Sequence, residues 1–148
     1  MSTHDDLTLA ITHEVRDRCL CLATQRAARA LARRFDDAFR GIELTSGQFS
    51  LLMALNRREA PRISDLAMLL AMDRTTITAN VKPLARRRLL KLAVDKDDRR
   101  SRRLHLTDAG RALLVTAVAI WRKENRRLER SLSARGATQL RAELMALG

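Results

Sequence analysis

Tyrosine is absent from this 148-residue chain, and aromatic residues of every kind make up only 3% of it. That shortage argues against domains that read single-stranded nucleic acid by stacking bases on aromatic side chains. Cys19 and Cys21 are the only cysteines, too few for the disulfide framework of a small secreted scaffold. His4, His13 and His105 are scattered, and no Cys/His cluster has metal-ligand spacing, so neither a metal nor another cofactor is expected. No apolar run approaches the roughly 20 residues of a membrane span. The N-terminal stretch lacks a basic start followed by a long apolar segment, so it does not read as a secretory signal, and the cytoplasm is the expected location. A nucleophile elbow, a phosphate-cradling Gly loop and a pair of catalytic carboxylates are all missing, which argues against an enzyme. Internal repeats and low-complexity linkers are missing too.

The chain is 46% hydrophobic and 31% charged, which fits one domain with a true core. Its net charge is +12, carried mostly by arginine. An excess of this size draws polyanions, and the planar guanidinium suits phosphates and guanine edges.

With five Gly and two Pro, punctuation is informative. Leu20, Thr24, Ala27, Leu31, Phe35 and Ala38 recur at helical steps and predict one long helix over about 12–40. Gly41 is read as its left-handed stop. Thr45 and Gln48 form a capping box for a second helix carrying Phe49, Leu52, Met53 and Leu55, which ends before Pro61. Ser64 is read as the cap of a third helix, with Leu66, Ala67 and Leu70 on its buried face. Asp73 caps a fourth helix whose early residues are polar and whose apolar side is Ile77, Val81 and Leu84. Pro83 is expected to kink or stop that helix. Residues 89–94 and 102–106 read as two strands around a polar loop. Thr107-Asp108 caps a fifth helix, with Leu113, Ala117, Ile120, Trp121, Leu128 and Leu132 on one side. A short last helix covers about 138–147. The expected fold is mainly α with a small β-hairpin wing, a winged helix-turn-helix. Helices at both chain ends would leave apolar faces exposed unless they paired, which favours a dimer.

The polar start of the fourth helix suits insertion into the major groove of double-stranded DNA. Arg74 can fork onto guanine or phosphate, Thr75, Thr76 and Thr78 offer hydroxyls and methyls, and Asn80 can pair with adenine. Arg86, Arg87, Arg88, Lys91, Lys96, Arg99, Arg100, Arg102 and Arg103 then make the hairpin and its approach a basic stripe for a phosphate backbone. Arginine at a hairpin tip can enter a narrow minor groove. Among them stand Asp95, Asp97 and Asp98, read as holding guanidinium groups in place.

Ile63-Ser64-Asp65-Leu66-Ala67, Met72-Asp73-Arg74-Thr75-Thr76-Ile77-Thr78, Asn80-Val81-Lys82-Pro83-Leu84, Asp95 with Asp98-Arg99-Arg100-Ser101, and Leu106-Thr107-Asp108-Ala109-Gly110 occur in order. Together they resemble the MarR family of bacterial regulators. The resemblance implies a single domain over 1–148, with a winged-helix DNA-binding core at 42–107 and dimerisation helices at 7–40 and 108–148. It implies a homodimeric repressor on a pseudo-palindromic operator, released by a small phenolic or lipophilic effector. Its DNA-binding residues are expected to be Ser64, Arg74, Thr75, Thr76, Thr78, Asn80, Lys82, Arg86, Asp98, Arg99, Arg100 and Arg102. The family commonly has Gly after the two basic residues that close its recognition helix, where Arg88 stands here. If that position needs positive φ, Arg88 carries a strain of roughly 1 kcal/mol.

Two alternatives accompany this reading. Cys21 resembles the sensing cysteine of the organic-hydroperoxide branch of the family, with Cys19 nearby. That branch activates its thiolate through tyrosine hydroxyls, which this chain lacks, and cysteine is also a common small core residue. The other alternative is an architectural DNA-binding protein without operator specificity, which the ordered recognition helix disfavours.

Overall fold

The computed structural model describes residues 7–148; His4 and the start of the N-terminal stretch lie outside the described residues. The chain divides into two compact units, the first ending at Arg34 and the second comprising Phe35–Gly148.

In the first unit the single long helix expected there is two: α1, Leu9–Arg18, and the start of α2, Leu20–Phe39. Cys19 between them is extended at φ −74° and ψ 108°. It still donates its own N–H to Val15 O (3.0 Å), and its sulfur accepts the Leu22 N–H at 3.4 Å. Cys19 thereby closes one helix and caps the next, the role a Ser or Asp usually fills. No Gly or Pro marks the break. None of the described side chains of this unit is buried. Leu9 and Leu20 remain 70% and 71% exposed.

The second unit holds the core. α2 ends at Phe39, whose ring packs at 4.9 Å from that of Phe49. A 3₁₀ turn, Arg40–Ile42, follows. Gly41 is not the left-handed residue; Glu43 is, at φ 52° and ψ 46°. The turn runs past Gly41 because the Arg87 guanidinium bonds the Ile42 and Glu43 carbonyls, which brings Leu44 into the core. α3, Ser46–Ala54, opens on the expected capping box of Thr45 and Gln48. α4 covers Ile63–Leu69 with Arg62 as its cap residue. Ser64 is the second residue of that helix rather than its cap. The Arg62 N–H instead goes to the Asp65 carboxylate at 2.9 Å.

α5, Arg74–Arg86, starts at Asp73 as expected, with the Thr76 N–H on its carboxylate at 2.7 Å. Pro83 does not stop it. A proline inside a helix costs about 3 kcal/mol, whereas burying Ile77, Val81 and Leu84 contributes up to about 9 kcal/mol. The carbonyl that loses its donor belongs to Ala79, an exposed residue that water can reach. Arg88 after α5 has φ 57°, so the strain expected there is present.

The antiparallel hairpin pairs β1, Leu90–Val94, with β2, Arg102–Leu106, in the register Leu90 to Leu106 and Leu92 to Leu104. α6, Asp108–Arg130, is capped by the Thr107 hydroxyl, which accepts the Gly110 N–H. Gly110 is required: a Cβ there would stand 2.0 Å from the Leu89 carbonyl oxygen. α6 stops short of Leu132 because the Ser131 hydroxyl donates to the Leu128 carbonyl (2.7 Å). Leu114, absent from the expected apolar face, is buried with Ala117. α7 is Gly136–Met145. No helix of the described residues is long and apolar enough to cross a membrane.

Candidate nucleic-acid interface

Helix α5 has three faces. Ile77, Val81 and Leu84 are buried. Arg74, Thr75, Thr78, Ala79 and Lys82 line an open groove of about 320 Å³ on the outer side. Thr76 and Asn80 lie on a flank. There the Asn80 amide donates to Thr76 O at 3.0 Å and stands beside the position a Gly47 Cβ would take. Asn80 is half-buried against α3, so the structure does not bring it onto the outer face as the sequence reading had it. The Thr76 hydroxyl donates to Asp73 at 3.0 Å, and that of Thr78 donates to Arg74 O at 2.8 Å. Each hydroxyl oxygen keeps acceptor capacity. The two Thr76 bonds hold the Asp73 carboxyl below its ordinary pKa. Arg86 is exposed at the end of the helix, and Ser64 is exposed near the start of α4.

The loop between the strands is closed by one carboxylate. Asp98 accepts the Ser101 hydroxyl at 2.8 Å and the Arg100 N–H at 3.0 Å. These bonds, the hydroxyl first, lower its pKa. Asp98 therefore shapes the loop rather than steering a guanidinium. Arg102 reaches back to Arg99 O at 3.2 Å. Arg99 and Arg100 are exposed, with no side-chain partner among the described residues.

Sequence reasoning missed the hairpin's anchor. Asp95 is the one buried charged residue among the described residues. Its carboxylate meets Arg103 Nε at 2.9 Å and Arg62 Nη2 at 2.5 Å. Arg103 also donates to Ala60 O at 2.6 Å, and the Leu104 N–H goes to Pro61 O at 2.9 Å. The Arg103 hydrogen bond, ahead of any other influence, holds the Asp95 carboxyl below its usual range. The loop end of the hairpin is thus clamped to the segment between α3 and α4. Arg103 and Arg87, counted in the basic stripe, serve as structural groups. One signal was available for Arg103, its place directly before an inward Leu in an alternating strand. Nothing local marked Arg62.

The one long helix expected over about 12–40 would carry both cysteines, but Cys19 occupies the break before α2. Both are free, Cys19 half-buried and Cys21 exposed, and the Gln25 amide contacts the Cys21 sulfur at 3.3 Å.

Residues 41–101 match the sequence profile of the MarR family. The transcriptional regulator MOSR of M. tuberculosis, solved in complex with DNA, is 33% identical with a TM-score of 0.79, over 88% of this chain and 93% of that one. The chain belongs to the MarR family. A probable transcriptional regulator of Pseudomonas aeruginosa is 31% identical with a TM-score of 0.79, over 89% of this chain and 98% of that one. The HTH-type transcriptional regulator TtmR of Methylorubrum extorquens is 32% identical over 97 residues, 66% of this chain but only 50% of TtmR's length. As a MarR-family chain it keeps the winged helix-turn-helix, with Arg88 at a left-handed turn.

Proposed function

We propose that this MarR-family chain is a sequence-specific, DNA-binding transcriptional regulator, a homodimeric repressor released by a small effector. The observation that carries the reading is the outer face of α5. Its Arg74, Thr75, Thr78 and Lys82 stand free of the core beside a clamped hairpin whose Arg99 and Arg100 project. A helix of this kind fits the major groove, and arginines on a wing fit the minor groove. The DNA complex of its relative MOSR supports the same assignment. In a two-fold dimer two such helices would enter successive major grooves roughly 34 Å apart.

The exposed leucines of α1, α2 and α7 support pairing with a second copy. For the effector, a groove of about 580 Å³ lies among Phe49, Met53, Leu70, Val118, Trp121 and Arg122. Its volume and apolar walls suit a small lipophilic or phenolic molecule. Binding there would shift the population of the DNA-competent state. No observation favours cysteine oxidation over this route.

The test is binding to a labelled fragment of the gene's own upstream region, with unlabelled random duplex as competitor. Retention of the fragment, and its loss in Arg74→Ala with Arg100→Ala, is the expected result. Equal competition by random duplex would instead fit an architectural protein.

A further inference from the structure

A second cationic centre lies apart from the α5 outer face. A cleft of about 170 Å³ is lined by Arg57, Arg58, His105 and Arg111, with Leu55 and Leu104 among its other walls. It shares no residue with the groove of Arg74 and Lys82. Three separate segments build it. The turn after α3, closed by the Arg57 N–H on Leu55 O at 2.9 Å, supplies Arg57 and Arg58. Strand β2 supplies His105, whose register partner is Lys91. The first turn of α6 supplies Arg111, fixed by Asn56 Oδ1 at 2.8 Å. Arg57 and Arg58 have no side-chain partner among the described residues.

No carboxylate lines this cleft. Glu59, the nearest acid in sequence on the turn, lines the neighbouring cleft with Asp95 and Asp97. Asp108 on α6 is exposed and outside the lining. Guanidinium groups cannot shed their protons. Three of them facing one cleft repel one another, and an anion relieves that repulsion. Their planar forks match phosphate and carboxylate oxygens two at a time. The volume is below the roughly 300 Å³ at which pockets for drug-sized ligands begin.

We infer that this cleft binds a compact oxyanion carrying two or more negative charges, of diphosphate or polycarboxylate type. The inference stands whether or not the chain regulates transcription. Such an anion would bridge the turn after α3, the hairpin and α6, and so stiffen the base of the wing.

The test is calorimetric titration at fixed ionic strength, with sodium pyrophosphate and sodium citrate as separate probes. The protein is compared with Arg57→Ala/Arg58→Ala and with the charge-matched Arg99→Ala/Arg100→Ala. At least one probe is expected to bind at one saturable site per chain. Its affinity is expected to fall at least about tenfold in the first variant, as loss of charged hydrogen bonds implies, and to stay nearly unchanged in the second. Arg58→Gln, a milder change at an exposed position, gives the same direction should the double variant misfold. Binding of pyrophosphate alone assigns the phosphate class, and binding of citrate alone the carboxylate class. Absence of saturable binding, or equal losses in both variants, overturns the inference. So does an outcome in which neither probe binds but Arg57→Ala/Arg58→Ala weakens duplex binding, since the arginines would then belong to a DNA contact.

Discussion

The winged segment and the terminal helices are both rich in leucine and arginine, yet they use them differently. In the first, Leu66, Ile77, Leu84 and Leu104 are fully buried; in the second, Leu9 and Leu20 stand about 70% exposed, and Leu140 and Leu144 are also open. A buried leucine stabilises by roughly 1.5–3 kcal/mol. One region therefore draws its stability from within a single chain. The other leaves these exposed leucines without a use in one chain. The lesson is that helical periodicity reports amphipathicity, and amphipathicity does not say whether the partner is the chain itself or another molecule.

That comparison can be broken at several points. Gly110→Ala should have the largest effect, because the new methyl meets the Leu89 carbonyl backbone; a loss of about 3 kcal/mol or more is expected in urea unfolding. Leu104→Ala should cost about 3 kcal/mol by the cavity it leaves. Leu20→Asp, in the exposed set, should leave the circular dichroism of the fold intact but weaken self-association by about tenfold or more in sedimentation. An unfolded Leu20→Asp chain, or an unchanged sedimentation profile, would erase the contrast. Arg88→Gly and Ala71→Gly remove positive-φ strain at φ 57° and 50°. Relief of 1–2 kcal/mol less the entropy cost of glycine leaves a gain of about 0.5 kcal/mol each.

The smallest effect is electrostatic. Asp95, Asp73 and Asp98 all have carboxyls held below the ordinary value of 3.8. Their contribution to stability is complete above that value and is lost as pH falls through the lower folded values. Denaturation midpoints should thus be level near neutrality and decline below about pH 4. Asp95→Asn should flatten the acid limb, and an unchanged limb would mean that the clamp does not stabilise the fold.

What the sequence made legible was local. Thr45, Asp73 and Thr107 cap helices through bonds to residues three positions away, and such spacing survives in a linear text. The two strands followed from alternation around a polar loop. What escaped notice was set at long range. Glu43 takes the left-handed conformation because Arg87, far along the chain, bonds its carbonyl. Asp95 is buried because Arg62 and Arg103 converge on it. The Cys19 break rests on a thiol doing the work of a hydroxyl. In the candidate interface, the outer row of α5 was legible from polarity. The turn of Asn80 toward Gly47 depended on α3 being beside it.

The clamp at the loop end of the hairpin also bears on how the molecule breathes. An isolated two-stranded ribbon is marginal in water and frays. This one shares its Leu104 amide with Pro61 and its Arg103 with Ala60, so opening the hairpin means opening the turn between α3 and α4 as well. The Leu104 amide should then exchange its hydrogen with solvent only when the helical core opens, as one cooperative unit. The wing opens together with the winged segment, and the exposed Arg99 and Arg100 side chains, on a loop that Asp98 closes, are left as the part free to adapt.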